Sequence, residues 1–253
     1  MKSGKKSETK GEGTRYIPGR NGVLEAIKAG RPILKLYFAE GKLEGSARQI
    51  VAKAKEFQIP IATVSRRKLD EMFAGKHQGV IAEISGYEYS EVDEMIDAAK
   101  ERGEDPFLLM LAEIESPQNL GAIMRTADIA GVHGIIIPKN NSVGLNATVA
   151  KVAAGAAEYV PVARVANLTQ TAKQLQDQGL WVYGADMEGT PMWDQDMKGP
   201  ILLIIGGEDR GIPRLLMEQC DFKVTIPMVG HISSLNASAA AAVMIYEVLR
   251  QRR

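Results

Sequence analysis

Residues 226–249 read IPMVGHISSLNASAAAAVMIYEVL, and this stretch holds more small polar side chains than its structure requires. The pattern predicts a strand, a turn and then an alanine-rich helix, and a helix needs only one capping side chain. Four side chains can each supply that cap, namely Ser233, Ser234, Asn236 and Ser238. The alanines at 239–242 allow the helix to approach other backbone closely. The surplus of polar groups therefore indicates a ligand or a reacting group at the start of this helix.

Composition bounds the class of protein. The chain has 253 residues, 45% of them apolar, which suffices for one large domain or two modest ones. No apolar run approaches the roughly 20 residues of a membrane span, and the first residues lack the apolar core of a signal peptide, so we expect a cytoplasmic protein without a membrane partner. The single cysteine, Cys220, excludes an intrachain disulfide and a multi-cysteine zinc site, and we expect no metal.

The net charge of zero hides an uneven distribution. Residues 1–84 carry 17 Lys and Arg against 9 Asp and Glu, residues 85–104 carry 2 against 7, and residues 105–253 carry 12 against 15. A basic front part is a common way to attract a polyanion, since each neutralised phosphate releases counterions. Nucleic acid is therefore the first partner to expect. A solvated tail would give a similar pattern, because six of the cations precede residue 21.

The order of polar and apolar segments predicts four regions. Residues 1–14 are polar and aperiodic, which is typical of a disordered basic arm. Residues 15–86 alternate helix and strand patterns in a small α/β unit, and residues 87–105, acidic and helical in pattern, are expected to be a linker. From residue 106 to 253 denser apolar runs alternate with helices, as in a parallel sheet. Ligands of such sheets bind where loops leave the carboxyl ends of the strands.

Two further loops follow predicted strands of the region 106–253. In ESPQNLGAIMRTADIAGVHGIIIP, residues 115–138, Arg125 either forms a surface pair with Asp128 or holds a phosphate or sugar edge. In ILLIIGGEDRGIP, residues 201–213, the glycines suggest close approach to a ligand. Glu208 in that loop can cap the next helix, pair with an arginine or contact the ligand. Neither dinucleotide-binding nor phosphate-loop glycine patterns occur.

Three stretches, in this order and spacing, resemble the signature motifs of the SpoU (TrmH) family of RNA ribose 2'-O-methyltransferases. They are NLGAIMRTADIAGVHGIIIP at 119–138, LIIGGEDRGIP at 203–213 and VTIPMVGHISSLNASAAAA at 224–242. LNATVAKVAAGAAEYVPVARVANL, residues 145–168, is similar to the RlmB-type subgroup, which methylates a guanosine of large-subunit ribosomal RNA. The charged pair Asp209 and Arg210 after Glu208 is a small departure that affects how this loop meets RNA.

The resemblance implies a fold and a ligand. Residues 106–253 would form an α/β methyltransferase domain whose parallel sheet ends in a deep trefoil knot, and the front unit would be a small RNA-binding domain like a ribosomal protein. The knotted loops would bind S-adenosylmethionine through Gly206, Ile226 and Leu235. Two subunits would pair as a homodimer with the active site at their interface.

The resemblance also implies a reaction. Asn119, Arg125, Glu208, Ser234 and Asn236 match the polar active-site positions of the family. A ribose 2'-hydroxyl is a poor nucleophile, so its proton must be removed or its alkoxide stabilised, and the resemblance gives this role to Arg125. The expected activity is methyl transfer to a guanosine of large-subunit ribosomal RNA. The alternatives are another ribosomal or transfer RNA nucleotide, or a non-catalytic RNA-binding assembly factor.

Overall fold

The computed structural model describes residues 14–28, 31, 33–41, 45–85, 89–208, 210–231 and 234–253. The chain divides into two compact units, and the boundary falls after residue 86. The predicted arm, residues 1–14, lies outside the described residues except for Thr14, which begins the first strand.

The first unit is a mixed four-stranded sheet with three helices. Its elements are β1 (Thr14–Pro18), α1 (Arg20–Lys28), β2 (Ile33–Ala39), α2 (Ser46–Glu56), β3 (Ile61–Val64), α3 (Arg66–Met72) and β4 (Val80–Ser85). The strand order is β1-β4-β2-β3, with β2 and β3 parallel and the other neighbours antiparallel. The sequence pattern missed β1, a five-residue edge strand that ends at Pro18, where a missing amide proton costs little.

The second unit is a parallel six-stranded sheet with helices. Its elements are α4 (Val92–Glu101), β5 (Phe107–Ala112), α5 (Pro117–Ala130), β6 (Gly134–Pro138), α6 (Ala147–Ala153), β7 (Val162–Val165), α7 (Leu168–Asp177), β8 (Trp181–Pro191), β9 (Ile201–Gly206), α8 (Arg214–Met217), β10 (Phe222–Thr225) and α9 (Ala237–Arg252), with short 3-10 turns at Ala156–Glu158 and Met192–Asp194. The strand order is β10-β8-β9-β5-β6-β7. The predicted α/β class and parallel sheet are confirmed, while the trefoil knot stays a prediction.

The sheet order fixes where a ligand can bind. From β5 the chain builds β6 and β7 on one side, and then β8, β9 and β10 on the other side. The point between β5 and β9 is therefore the place where the strand order reverses, and such points open a crevice at the carboxyl ends of the strands. There Ala112 of β5 lies opposite Gly206 of β9. The loops that follow these two strands consequently begin side by side.

The acidic segment 87–105 contains the helix that its pattern predicts, α4, and this helix packs within the second unit, while the linker role stays a prediction. Met95 and Ile96 of α4 pack with apolar residues of β5 and β6, and Ala99 is buried as well. A Cβ at Gly134 in β6 would lie 2.2 Å from Met95 Sδ, so glycine makes room for this helix. The charges that suggested a linker occupy the other face of an amphipathic helix.

No helix within the described ranges combines the length and the apolar character that crossing a bilayer demands.

Replacing Ile96 tests whether α4 belongs to the second unit. Ile96→Ala should lower the free energy of unfolding of this unit by about 3 kcal/mol, because the lost methyl groups leave a cavity. Trp181 and Trp193 both lie in this unit, so urea unfolding followed by tryptophan fluorescence reports on it. Asp97→Ala, on the exposed face of the same helix, is the control and should have little effect. Equal midpoints for the two variants would mean that α4 packs only loosely.

Candidate active site

The first side of the site is the start of α5. Ser116 caps the helix, accepting a hydrogen bond from the Asn119 amide at 3.4 Å, and Pro117 occupies the first turn, where its missing amide proton is harmless. This start places the Asn119 side chain, only 9% exposed, toward the loop after β9. A buried carboxamide requires partners for both its ends.

Those partners join the three motifs at a single carboxylate oxygen. Asn119 Nδ2 donates to Glu208 Oε1 at 3.1 Å, although 89 residues separate the two in sequence. Asn236 Nδ2 donates both to the same Oε1 and to Asn119 Oδ1, the latter at 3.0 Å. The Ala237 amide also donates to Oε1, at 3.3 Å. Glu208 therefore neither caps α8 nor pairs with an arginine within the described part of the chain; it ties α5 to the start of α9.

Within residues 234–238 one side chain caps α9, and the two serines do not. Asn236 Oδ1 accepts from the Ser238 and Ala239 amides at 3.0 and 3.3 Å, so Asn236 is the N-cap of α9. The Ser238 hydroxyl donates to the same oxygen at 2.6 Å. Ser234 does not cap; it is exposed and lines a cavity. Ser233 lies outside the described residues.

The backbone around Glu208 leaves little room for side chains. A Cβ at Gly206 would lie 2.2 Å from the Gly211 carbonyl carbon, and one at Gly207 would lie 2.4 Å from the Glu113 carbonyl oxygen. Glu113, which directly follows β5, has φ of 57°, a conformation that costs energy for a residue with a side chain. The glycines thus let the loop after β9 turn back tightly against the end of β5.

A cavity of about 480 Å³ opens beside this junction, within the roughly 300–1,000 Å³ of small-molecule sites. The predicted cofactor residues Gly206, Ile226 and Leu235 all line it, together with Glu208 and Ser234. Methionines 187, 228 and 244 add apolar surface. Apolar side chains beside the polar backbone of a glycine loop fit an adenosine, whose flat base needs both.

Arg125 stands apart from this cluster in the single chain. Six residues after Asn119 on α5, it is displaced by about 9 Å along the axis and about 120° around it. Its side chain is exposed and makes no hydrogen bond or ion pair with any residue that the structure describes. The alternative interpretation of a surface pair with Asp128 is therefore wrong for this structure, and no hydrogen bond links Arg125 to Asn119 or Glu208 either.

Other nucleophiles and bases lie elsewhere. Burial raises the pKa of the Cys220 thiol to about 12, so it is protonated at neutral pH. His77 belongs to the first unit, where its Nε2 bonds Asp70 at 2.9 Å. His133 is held between the Phe107 amide and Glu104, and His231 does not line the cavity.

Across the described ranges, no group of three or more His, Cys, Asp or Glu could hold a metal ion.

Among the charged residues that line the cavity, sequence reasoning missed Asp186. It lies in residues 185–189, which leave the β8–β10 ladder between Gly184, opposite Lys223, and Thr190, opposite Val224. An apolar strand pattern gives no sign of such an excursion, although the run of polar and small residues at 186–190 could have indicated it.

Comparison with known proteins gives matches over both units. The family profile described as SpoU rRNA Methylase matches residues 106–246, and that described as RNA 2'-O ribose methyltransferase substrate binding matches residues 16–90. Over 238 residues the chain is 48% identical to YacO of Bacillus subtilis, a protein assigned to the TrmH family of tRNA/rRNA methyltransferases, covering 94% of this chain and 96% of YacO. A Staphylococcus aureus protein with the same assignment is 45% identical over 239 residues, covering 93% and 96%.

Solved structures share the fold. The SpoU methyltransferase AviRb of Streptomyces viridochromogenes, solved in complex with AdoMet, superposes with a TM-score of 0.60 at 24% identity, covering 94% of this chain and 90% of AviRb.

Substituting Asn236 tests the junction at Glu208. Asn236→Asp keeps the capping oxygen but sets a second carboxylate against Glu208, and two neighbouring carboxylates raise the pKa of one of them. Repulsion between the two carboxylates should make the variant less stable than wild type by about 1–3 kcal/mol at pH 8. The folded state binds a proton more readily than the unfolded chain, so the stability of the variant should recover as the pH falls toward 5. Thermal unfolding across this range measures the difference.

Asn167→Asp is the matched control. Asn167 caps α7 by accepting from the Gln170 amide at 3.0 Å, and its side chain bonds no carboxylate among the residues described. Aspartate there should preserve stability at both pH values. If the two variants showed the same pH dependence, the junction at Glu208 would have no special electrostatic role.

Proposed function

The chain belongs to the SpoU rRNA Methylase family, and we propose that its substrate is a guanosine in large-subunit ribosomal RNA. Family membership makes it an S-adenosylmethionine-dependent RNA 2'-O-methyltransferase. The RlmB-like stretch at 145–168 supports a guanosine of ribosomal RNA, and the substrate-binding match at 16–90 supports an RNA substrate without naming the base. Transfer RNA is the second candidate, because the family assignment of YacO includes both RNA types.

The observation that carries the site assignment is the junction at Glu208 beside the cavity. It connects three loops that are distant in sequence, and the predicted cofactor and active-site residues of two of them line one space. A site held by hydrogen bonds among Asn119, Glu208 and Asn236 keeps its geometry when ligands bind. Gly206, Ile226 and Leu235 would hold the adenosine, and the bound cofactor would supply the methyl group from its sulfonium.

Side chains of the protein would position the ribose and stabilise the charge that develops on its 2'-oxygen. For its oxygen to accept the methyl group, whose bond to the sulfonium sulfur would break and leave S-adenosylhomocysteine, the 2'-hydroxyl must release its proton to water, and negative charge develops on that oxygen. We assign stabilisation of this charge to Arg125, because guanidinium stays protonated and offers fixed donors. Ser234, exposed at the cavity, would position the ribose, while Asn119, Glu208 and Asn236 would hold the loops.

A homodimer would explain the position of Arg125. In one chain Arg125 has no bond to the Glu208 junction, so a complete site needs either a movement of α5 or a second copy. Exposed apolar side chains on α5 and α9 favour the second copy: Ile129 is 63% exposed and Tyr246 48%. We propose a two-fold dimer through these helices in which Arg125 of one copy completes the site at the junction of the other.

Replacing Arg125 tests its role. Arg125→Ala should reduce methyl transfer to ribosomal RNA by about 10²–10³-fold, because the developing charge loses its stabilising donor. Transfer of labelled methyl groups from S-adenosylmethionine measures the rate, and calorimetry should give an unchanged cofactor affinity. Asp128→Ala, exposed on the same helix, is the control and should keep full activity. Equal rates for Arg125→Ala and wild type would contradict the assignment.

Mixing two inactive variants tests whether the site is shared. When Arg125→Ala and Glu208→Ala chains are co-expressed with different tags, the purified mixed dimer has one site with both residues intact only if the two residues act across the interface. Randomly assembled dimers should then recover about a quarter of wild-type activity. No recovery in the purified mixed dimer would mean that each chain completes its own site.

A further inference from the structure

We propose that Asp186 and Arg210 form the subsite for the amino-acid arm of S-adenosylmethionine, with Arg210 binding the carboxylate and Asp186 facing the cationic groups. This inference rests on the proposed cofactor site. It concerns two charged residues to which the motif match gives no role.

The charges of the cavity match those of this arm. Asp186, Glu208 and Arg210 are the ionisable side chains of its lining among the described residues, which makes two negative charges and one positive. The amino-acid arm has the complementary set, because its sulfonium and ammonium groups are positive and its carboxylate is negative. Glu208 already accepts three hydrogen bonds through one oxygen, so Asp186 is the carboxylate left to attract the cationic groups.

Asp186 is held in place by the excursion of residues 185–189 from β8. The Glu188 amide donates to Asp186 Oδ1 at 3.0 Å, and the Thr225 hydroxyl of β10 donates to the Met187 carbonyl at 3.2 Å. The second oxygen of Asp186 bonds to no residue in the described part of the chain. The excursion therefore fixes one carboxylate oxygen and leaves the other free on a residue that lines the cavity.

Arg210 differs from Arg214 and Arg250, two other arginines of the second unit. Arg214 bonds Glu218 and Arg250 bonds Glu247, whereas Arg210 has neither a hydrogen bond nor an ion pair within the described ranges. The hydrogen bond from the Gly211 amide to the Gly207 carbonyl, 3.0 Å long, closes the loop around it. The planar guanidinium fork matches a carboxylate in two parallel bonds. An RNA phosphate is the competing anion, but the matching charges within one cavity favour the cofactor.

The test compares ligands that lack the sulfonium charge or the whole amino-acid arm. Calorimetry would give the affinity of the full chain for S-adenosylmethionine, for S-adenosylhomocysteine, which lacks the positive sulfonium, and for methylthioadenosine, which lacks the whole amino-acid arm. Arg210→Gln should weaken the first two by about tenfold each and leave methylthioadenosine unchanged, because only the first two have a carboxylate. Arg214→Gln removes the same charge outside the cavity and should change none of the three.

Asp186→Asn tests the other half of the subsite. The carboxamide oxygen can still accept from the Glu188 amide, so the excursion should persist. The loss of affinity should follow the number of positive groups on the ligand: largest for S-adenosylmethionine, smaller for S-adenosylhomocysteine and absent for methylthioadenosine.

Three results would overturn the subsite: equal losses for all three ligands, no loss for any, or a loss in RNA affinity alone on replacing Arg210. In the last case the Arg210 guanidinium binds an RNA phosphate. If the wild-type chain bound neither S-adenosylmethionine nor methylthioadenosine, the proposed cofactor site itself would be contradicted.

Discussion

The Glu208 carboxylate is the interaction on which the site depends. One of its oxygens accepts from two carboxamides and a backbone amide, and these donors come from α5 and the start of α9. A carboxylate accepts such bonds more strongly than a neutral group, and its removal would leave a buried amide without a partner. The start of α5, the glycine loop after β9 and the start of α9 are thereby fixed relative to one another.

The sheet makes this junction possible. Parallel strands end at a common edge, and β5 and β9 lie side by side where the strand order reverses. Short glycine-containing turns then bring Glu208 against the end of β5, at the expense of a strained Glu113 backbone. Two central strands thus place side chains 89 residues apart in sequence within hydrogen-bonding distance.

Much of this arrangement was predictable from residues alone. Dense apolar runs predicted the strands of the second unit, and the motif order predicted which loops carry Asn119, Glu208 and Asn236. The helix of the acidic segment was predictable from its pattern, but its net charge gave no sign that Met95 and Ile96 pack into the second unit. Asp186 was missed because the strand was predicted from its apolar pattern, whereas the shift of the ladder after Gly184 depends on pairing between strands. The motif match also did not predict that Arg125 is exposed and has no hydrogen bond to the Glu208 junction within the described part of the chain.

The most direct measurement is a map of ribose 2'-O-methyl groups on ribosomal and transfer RNA from cells that lack the gene, complemented with wild type or with Glu208→Gln. The account predicts that one guanosine of large-subunit ribosomal RNA loses its methyl group without the gene, regains it with wild type and stays unmethylated with Glu208→Gln. Loss confined to transfer RNA would contradict the proposed substrate, and restoration by Glu208→Gln would contradict the role of the junction.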